Sequence, residues 1–143
     1  MVSYHKGEIS FPGGAVHKSD SSLLETALRE SEEEIGLKPE DVYVLGELDD
    51  LITRYSNFLV TPFVGAIRPG YSFVPSSFET AEILEIPVRS LLEEDCLREE
   101  ARVRLGGEIV RQYVYTYGSH SIIGATARML RQFLEVYVLS RTL

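Results

Sequence analysis

Residues Phe11–Leu37 read FPGGAVHKSDSSLLETALRESEEEIGL, and this stretch decides how the rest of the chain is read. It holds a glycine turn, a short polar loop, one amphipathic helix and a glycine stop. Ser22 with Glu25 three residues on is a capping-box arrangement, which satisfies backbone donors left over at a helix start. Gly36 suits the left-handed position after a helix, and Pro39 blocks a restart. At 100° per residue, Leu24, Leu28, Ser31 and Ile35 form one stripe that faces the core. Glu30, Glu33 and Glu34 share a neighbouring arc, whereas Glu32 points to water.

That acidic arc is badly placed for stability. The last turn of a helix carries partial negative charge, which disfavours each glutamate there by roughly 0.3–1 kcal/mol. Glu30 and Glu34, four residues apart, add a like-charge repulsion of a few tenths of a kcal/mol. An acidic run of this kind is ordinarily a solvated face. The glycine pair upstream, together with Arg29-Glu30 and Glu33-Glu34-Ile35-Gly36, points elsewhere. A hard divalent cation turns clustered carboxylates into a site, and oxygen-only ligation suits Mg²⁺ or Mn²⁺ better than zinc.

The whole-chain balance agrees with an anionic ligand met through metal. Fourteen basic against 22 acidic residues give a net charge of −8, which argues against binding a nucleic-acid backbone. With 143 residues and 44% hydrophobic content, residues 1–143 are expected to form one domain with a real core. Cys96 is the single cysteine, so no intramolecular disulfide forms, as in a reducing cytoplasm. No basic-then-apolar leader opens the chain and no apolar run is long enough to span a bilayer, so a cytoplasmic protein without membrane contact is expected.

Outside the central stretch, His5–Phe11 reads as a short approach strand and Asp41–Leu48 as a second strand. Asn57–Ile67 (NFLVTPFVGAI) reads as a long buried strand bent at Pro62. Arg68–Ser77 is a loop by its Pro, Gly and Ser content. Ile83–Pro87 is a strand, followed by a helical turn over Val88–Leu92. Ala101–Tyr117 reads as a hairpin closed by Gly106-Gly107, with Tyr113, Tyr115 and Tyr117 on one face. Such a tyrosine face could stack an adenine but is more often packing. Ser121–Leu139 is an amphipathic helix.

The central stretch resembles the Nudix hydrolase signature, G-x5-E-x7-R-E-U-x-E-E-x-G-U with U a bulky aliphatic. Arg29, Glu30, Glu33, Glu34, Gly36 and Leu37 match it, and Gly14 takes the leading glycine. The Gly14-to-Arg29 spacing is one residue longer, Asp20 replaces the early glutamate, and Ser31 stands where an aliphatic is usual. That longer loop, with Gly13-Gly14, Asp20 and Thr26-Ala27-Leu28-Arg29-Glu30, resembles the coenzyme A pyrophosphatase branch. HKGEISFPGG, VTPFVG and IIGATARML are similar to segments of that branch as well, with Ile123 in place of a tryptophan.

The resemblance implies an α/β fold, a Nudix-type α/β/α sandwich with a mixed sheet. It implies metal ligation by Glu30, Glu33, Glu34 and the Gly14 carbonyl, with Arg29 orienting a box glutamate by ion pairing. Glu33 is expected to act in catalysis, and Glu79 or Glu82 to complete the metal site or serve as base. The implied reaction is Mg²⁺- or Mn²⁺-dependent cleavage of coenzyme A or its acyl derivatives to 3′,5′-ADP and a 4′-phosphopantetheine. ADP-ribose, dinucleoside polyphosphates and a non-catalytic nucleotide-binding role are the alternatives. Lys6, Lys18, Arg54 and Arg68 are the candidates to read the 3′-phosphate. Nudix domains usually bring a strand ahead of the FPGG approach, and none is evident in the ten residues before Phe11. Either the native protein starts further upstream or a homodimer covers the gap beside His5–Phe11.

Overall fold

The helix expected after Ser22 is present as α1 (Leu23–Ile35) in a computed structural model of the chain. The Ser22 hydroxyl accepts the Glu25 backbone N–H at 3.1 Å, while the Glu25 carboxylate turns to the backbone N–H and hydroxyl of Ser21. At the other end Gly36 sits in the left-handed region, φ 68°, with its N–H on the Glu32 carbonyl; the Leu37 N–H bonds the Ser31 carbonyl. This doubled closure leaves the terminal carbonyls of α1 to be satisfied by other segments. Ile35 is buried on the expected stripe, Leu24, Leu28 and Ser31 are half-buried there, and Thr26 is buried too.

The structure describes residues 2–5, 8–54 and 56–142, the first four by backbone alone. They fall into two compact units: Met1–Ile52 with Phe58–Glu85, and Thr53–Asn57 with Ile86–Leu143.

The first unit carries α1 and seven short strands: β1 (Val2–His5), β2 (Glu8–Ser10), β3 (Tyr43–Glu47), β4 (Leu51–Ile52), β5 (Leu59–Val60), β6 (Phe63–Ala66) and β7 (Glu82–Leu84). One sheet has the order β2-β1-β7, antiparallel throughout, with Tyr4 opposite Ile9 and Val2 opposite Leu84. Ile9 and Leu84 are buried. This corrects the expectation that no strand precedes the approach segment. Val2–His5 is a strand, four residues of alternating type too short to show a period, and it pairs on both edges. The homodimer expectation rested on the gap that β1 fills, and it loses that support.

The long apolar run is corrected too. It breaks at Thr61-Pro62 into β5 and β6, because proline has no N–H for a ladder; the Pro62 carbonyl instead accepts the Leu48 N–H at 2.9 Å. β5 pairs with β4, and β6 pairs with β3 across a bulge between Val44 and Gly46. Neither strand is buried as expected; Leu59 is 67% exposed. Arg68–Ser77 holds no helix or strand, in agreement with its composition.

The second unit carries α2 (Val88–Leu91), β8 (Leu97–Val103), β9 (Ile109–Tyr117), β10 (His120–Ile122) and α3 (Gly124–Arg141). The glycine-closed hairpin forms, and its register ends at Val103 opposite Ile109. Its turn is wider than two residues, since Arg104 and Glu108 still bond, N–H to carbonyl, at 2.8 Å. The start of the final helix is corrected: Ser121 and Ile122 belong to β10, which pairs with β9, and α3 begins at Gly124. Ile122, Val114, Tyr115, Ala127, Leu130 and Leu134 are buried. Tyr113 lies under the Arg131 guanidinium at 4.5 Å, so the tyrosine face packs within its own unit.

The α/β class expected from the sequence is borne out, with every described strand pairing antiparallel. Among the described residues, no helix is long and apolar enough to cross a membrane.

Candidate active site

The helical spacing of Glu30 and Glu34 puts both carboxylates on one face of α1. The segment after β6 then brings Glu79 to them. Each of Glu30, Glu34 and Glu79 offers an oxygen, and these three atoms lie within 4.8 Å of one another. The strain of this grouping falls on Glu34. Its burial, with Glu30 and then Glu79 adding repulsion, pushes its carboxyl from 4.5 up to about 7 against a hydrogen bond from the Gly13 backbone. Carboxylates placed this close repel one another, and a cation between them relieves that repulsion.

The glycine turn closes on the same cluster. A Cβ built on Gly14 would lie 2.5 Å from Oε1 of Glu30, whereas one on Gly13 would meet nothing within 4 Å. Backbone at position 14 therefore lies so close to the carboxylate that any side chain there would push the end of Glu30 aside.

Arg29 ties this turn to the helix. Its Nε and Nη2 donate to the two carboxylate oxygens of Asp20 at 3.0 and 3.1 Å, and Nη2 also donates to the Ala15 carbonyl at 3.0 Å. Its Nη1 donates to Glu30 Oε1 and Glu33 Oε2, each at 3.1 Å. The Asp20 side chain is only 1% exposed, and it also accepts the Thr26 hydroxyl and the His17 N–H, each at 2.9 Å. The Arg29 fork, first of all, holds the Asp20 carboxyl well below the usual carboxylate range.

Of the residues singled out in the sequence, Glu30, Glu34, Glu79 and Gly14 come together. Arg29 bonds Glu30, as an orienting role requires. Glu33 lies outside the three-carboxylate group: it pairs with Arg29 and its side chain is half-exposed. Glu82 sits in β7, exposed, and is not in the group either. Lys18 and Arg68 are exposed loop residues of the first unit. Arg54 belongs to the second unit, where its Nη1 donates to the Arg111 carbonyl at 3.0 Å. Lys6 lies outside the described residues. What holds Arg29 and Glu79 in place is not evident from sequence alone. Asp20 was visible as a departure from the signature, and its placement nine residues before Arg29 was the available signal.

Three converging carboxylates, one of them with its carboxyl raised by burial and then by repulsion, form a donor set that fits a hard divalent cation. Residues 2–102 match the family profile described as NUDIX domain. The chain belongs to the Nudix hydrolase family. Among similar proteins, each described as "Uncharacterized Nudix hydrolase NudL", that of Photorhabdus laumondii is 37% identical over 131 residues, covering 92% of this chain and 69% of the relative. That of Pectobacterium atrosepticum is 38% identical over 134 residues, 90% of this chain and 66% of the relative. That of Yersinia enterocolitica is 38% identical over 131 residues, 92% and 66%. This Nudix chain thus spans about two thirds of the length of these relatives. Family membership makes it an enzyme of the pyrophosphohydrolase class, acting on a nucleotide-linked diphosphate.

Proposed function

We propose that this Nudix hydrolase cleaves the diphosphate of coenzyme A or acyl-coenzyme A, giving 3′,5′-ADP and a 4′-phosphopantetheine, with Mg²⁺ or Mn²⁺ as cofactor. The observation that carries the metal-dependent reaction is the convergence of Glu30, Glu34 and Glu79. These three carboxylates would hold the cation, with the Gly14 backbone beside them. When bound, the cation supplies charge neutralisation for the diphosphate and a more acidic water. Arg29 keeps Glu30 turned into the cluster through its Nη1 bond, and Asp20 keeps Arg29 from swinging away. Glu33, bonded to the same Nη1, is the carboxylate we assign to proton transfer at its exposed edge.

The choice of coenzyme A rests on the segments HKGEISFPGG and IIGATARML, which lie outside the carboxylate helix. Coenzyme A carries a 3′-phosphate that its 3′-dephospho form and ADP-ribose lack. A basic side chain, Lys6, Lys18, Arg54 or Arg68, is proposed to read it. The lone cysteine suits a cytoplasmic setting. The test is a comparison of kcat/KM for coenzyme A, its 3′-dephospho form, ADP-ribose and dinucleoside polyphosphates, each with Mg²⁺ and Mn²⁺. Coenzyme A is expected to lead. Equal values with and without the 3′-phosphate, or a preference for ADP-ribose, would remove the substrate assignment and leave the reaction class.

A further inference from the structure

Two of the three clustered carboxylates ride on α1, where helix geometry fixes them. Glu79 has no such support. It lies on an exposed stretch between Arg68 and β7, and the charge of Glu30 and Glu34 repels it. Something must hold it there.

Tyr71, early in that stretch, bonds Lys38 and Asp41, and residues nearer Glu79 bond the end of α1. The Val74 N–H donates to the Ile35 carbonyl at 2.9 Å, and the Ser76 N–H donates to the Glu34 carbonyl at 2.9 Å. The Thr80 hydroxyl donates to that same Glu34 carbonyl at 2.8 Å, and the Thr80 N–H closes a turn onto the Ser76 carbonyl at 3.0 Å. Thr80 is 7% exposed in a stretch whose neighbours Phe78, Glu79 and Ala81 are all exposed. A helix ends with carbonyls that lack intrahelical partners, and here the loop uses two of them as its footing. Glu34 therefore acts twice: its side chain belongs to the cluster, and its carbonyl anchors the residue next to Glu79.

We propose that Thr80 is a positioning residue for Glu79, holding the third carboxylate against Glu30 and Glu34 through the Glu34 carbonyl. This rests on the metal-dependent reading of the cluster. Replacing the hydroxyl by a methyl of equal size keeps the packing and removes the tether, so Glu79 swings out under repulsion and the cation loses a ligand.

The experiment measures Mn²⁺ affinity of the whole chain by titration calorimetry, with melting curves on every variant. Thr80→Val is expected to weaken Mn²⁺ binding about tenfold, the usual scale for loss of a group that orients a ligand, and Thr80→Ser to stay within about threefold of the parent. Should Thr80→Val not fold, Thr80→Cys keeps the size with only a weak donor and is read in its place. A double-mutant cycle then separates positioning from general stability. In a Glu79→Gln background, Thr80→Val is expected to cost no further affinity, because the carboxylate it would release is already gone. Unchanged Mn²⁺ affinity in a folded Thr80→Val, or an equal loss with and without Glu79, would overturn the proposal. If Glu30→Gln and Glu34→Gln also leave Mn²⁺ affinity unchanged, the metal-dependent reading of the cluster falls with it. If those two weaken binding and Thr80→Val does not, the positioning role alone is lost.

Discussion

A side chain on Gly14 would put its Cβ 2.5 Å from the Glu30 carboxylate, inside any allowed contact. With hydrogen in place of a side chain at that Cα, the turn and the Glu30 carboxylate meet without displacing each other. Gly14→Ala is expected to displace either the turn or the carboxylate and to lower kcat by at least about 10²-fold, the scale of a misplaced reacting group. Gly13→Ala, facing open space, should stay within a fewfold of the parent. Steady-state kinetics on the pair decides it, and similar losses at both positions would show that the contact is not what matters.

Glu30→Gln and Glu34→Gln should each reduce turnover by orders of magnitude while keeping or slightly raising the melting temperature. Each removes a negative charge from a helix end that disfavours it, worth roughly 0.3–1 kcal/mol, along with repulsion inside the cluster. Glu32→Gln, on the solvent side of α1, should be nearly silent. Comparable activity losses at Glu32 and Glu30 would contradict the geometry.

The raised carboxyl of Glu34 gives a pH signature. It titrates at about 7 in the folded chain against 4.5 as a free side chain. The folded state then holds the proton more tightly than the unfolded one. Its stabilising contribution is complete below about pH 4.5 and is lost as pH rises through about 7. With cations chelated, the melting temperature should fall from pH 5 to pH 8 more steeply in the parent than in Glu34→Gln. Saturating Mg²⁺ is expected to restore much of the loss at pH 8, as a ligand of the proposed site would. Parallel pH profiles for the two proteins would refute this account of Glu34.

Asp20 and Glu33 both bond Arg29, yet they differ in surroundings. The Asp20 carboxylate is enclosed and accepts four hydrogen bonds, from Arg29 twice, Thr26 and His17. Glu33 is half in water. Asp20→Ala is expected to lower the melting temperature clearly and to depress kcat by freeing Arg29. Glu33→Ala should lower kcat with little change in melting, because exposed ion pairs contribute little to stability. Thermal melts at pH 7 compare them directly.

Much of this was readable from residues alone. The helix limits followed from Ser22 and Gly36, which encode cap geometry locally, and the carboxylate arc followed from spacing on α1. What escaped the reading was set by distant contacts. Val2–His5 is a strand because β2 and β7 flank it, and nothing in four residues announces two partners. Asn57–Ile67 looked like one buried strand because apolar composition cannot tell a continuous ladder from two short ones separated by Pro62. Ser121-Ile122 continues the apolar pattern of the final helix, although Gly124, at φ 63°, marks the boundary. At the site, Glu79 and Glu82 could not be ranked, since the choice depends on where residues 74–80 dock. The bonds to the Glu34 and Ile35 carbonyls make that choice, and they are tertiary.

Cys96 has a use that its chemistry does not suggest. It is the sole thiol of the chain and belongs to the second unit, while every carboxylate of the cluster belongs to the first. Its Sγ donates to the Thr116 carbonyl at 3.1 Å, the Thr116 N–H returns a bond to the Cys96 carbonyl at 3.0 Å, and burial pushes the thiol up. A reagent such as a soluble aromatic disulfide must wait for that strand contact to open, so its rate of consumption is a clock for local opening. The clock needs no label and no engineered residue. Run with and without Mn²⁺, it reads whether adding the ion changes local opening around Cys96.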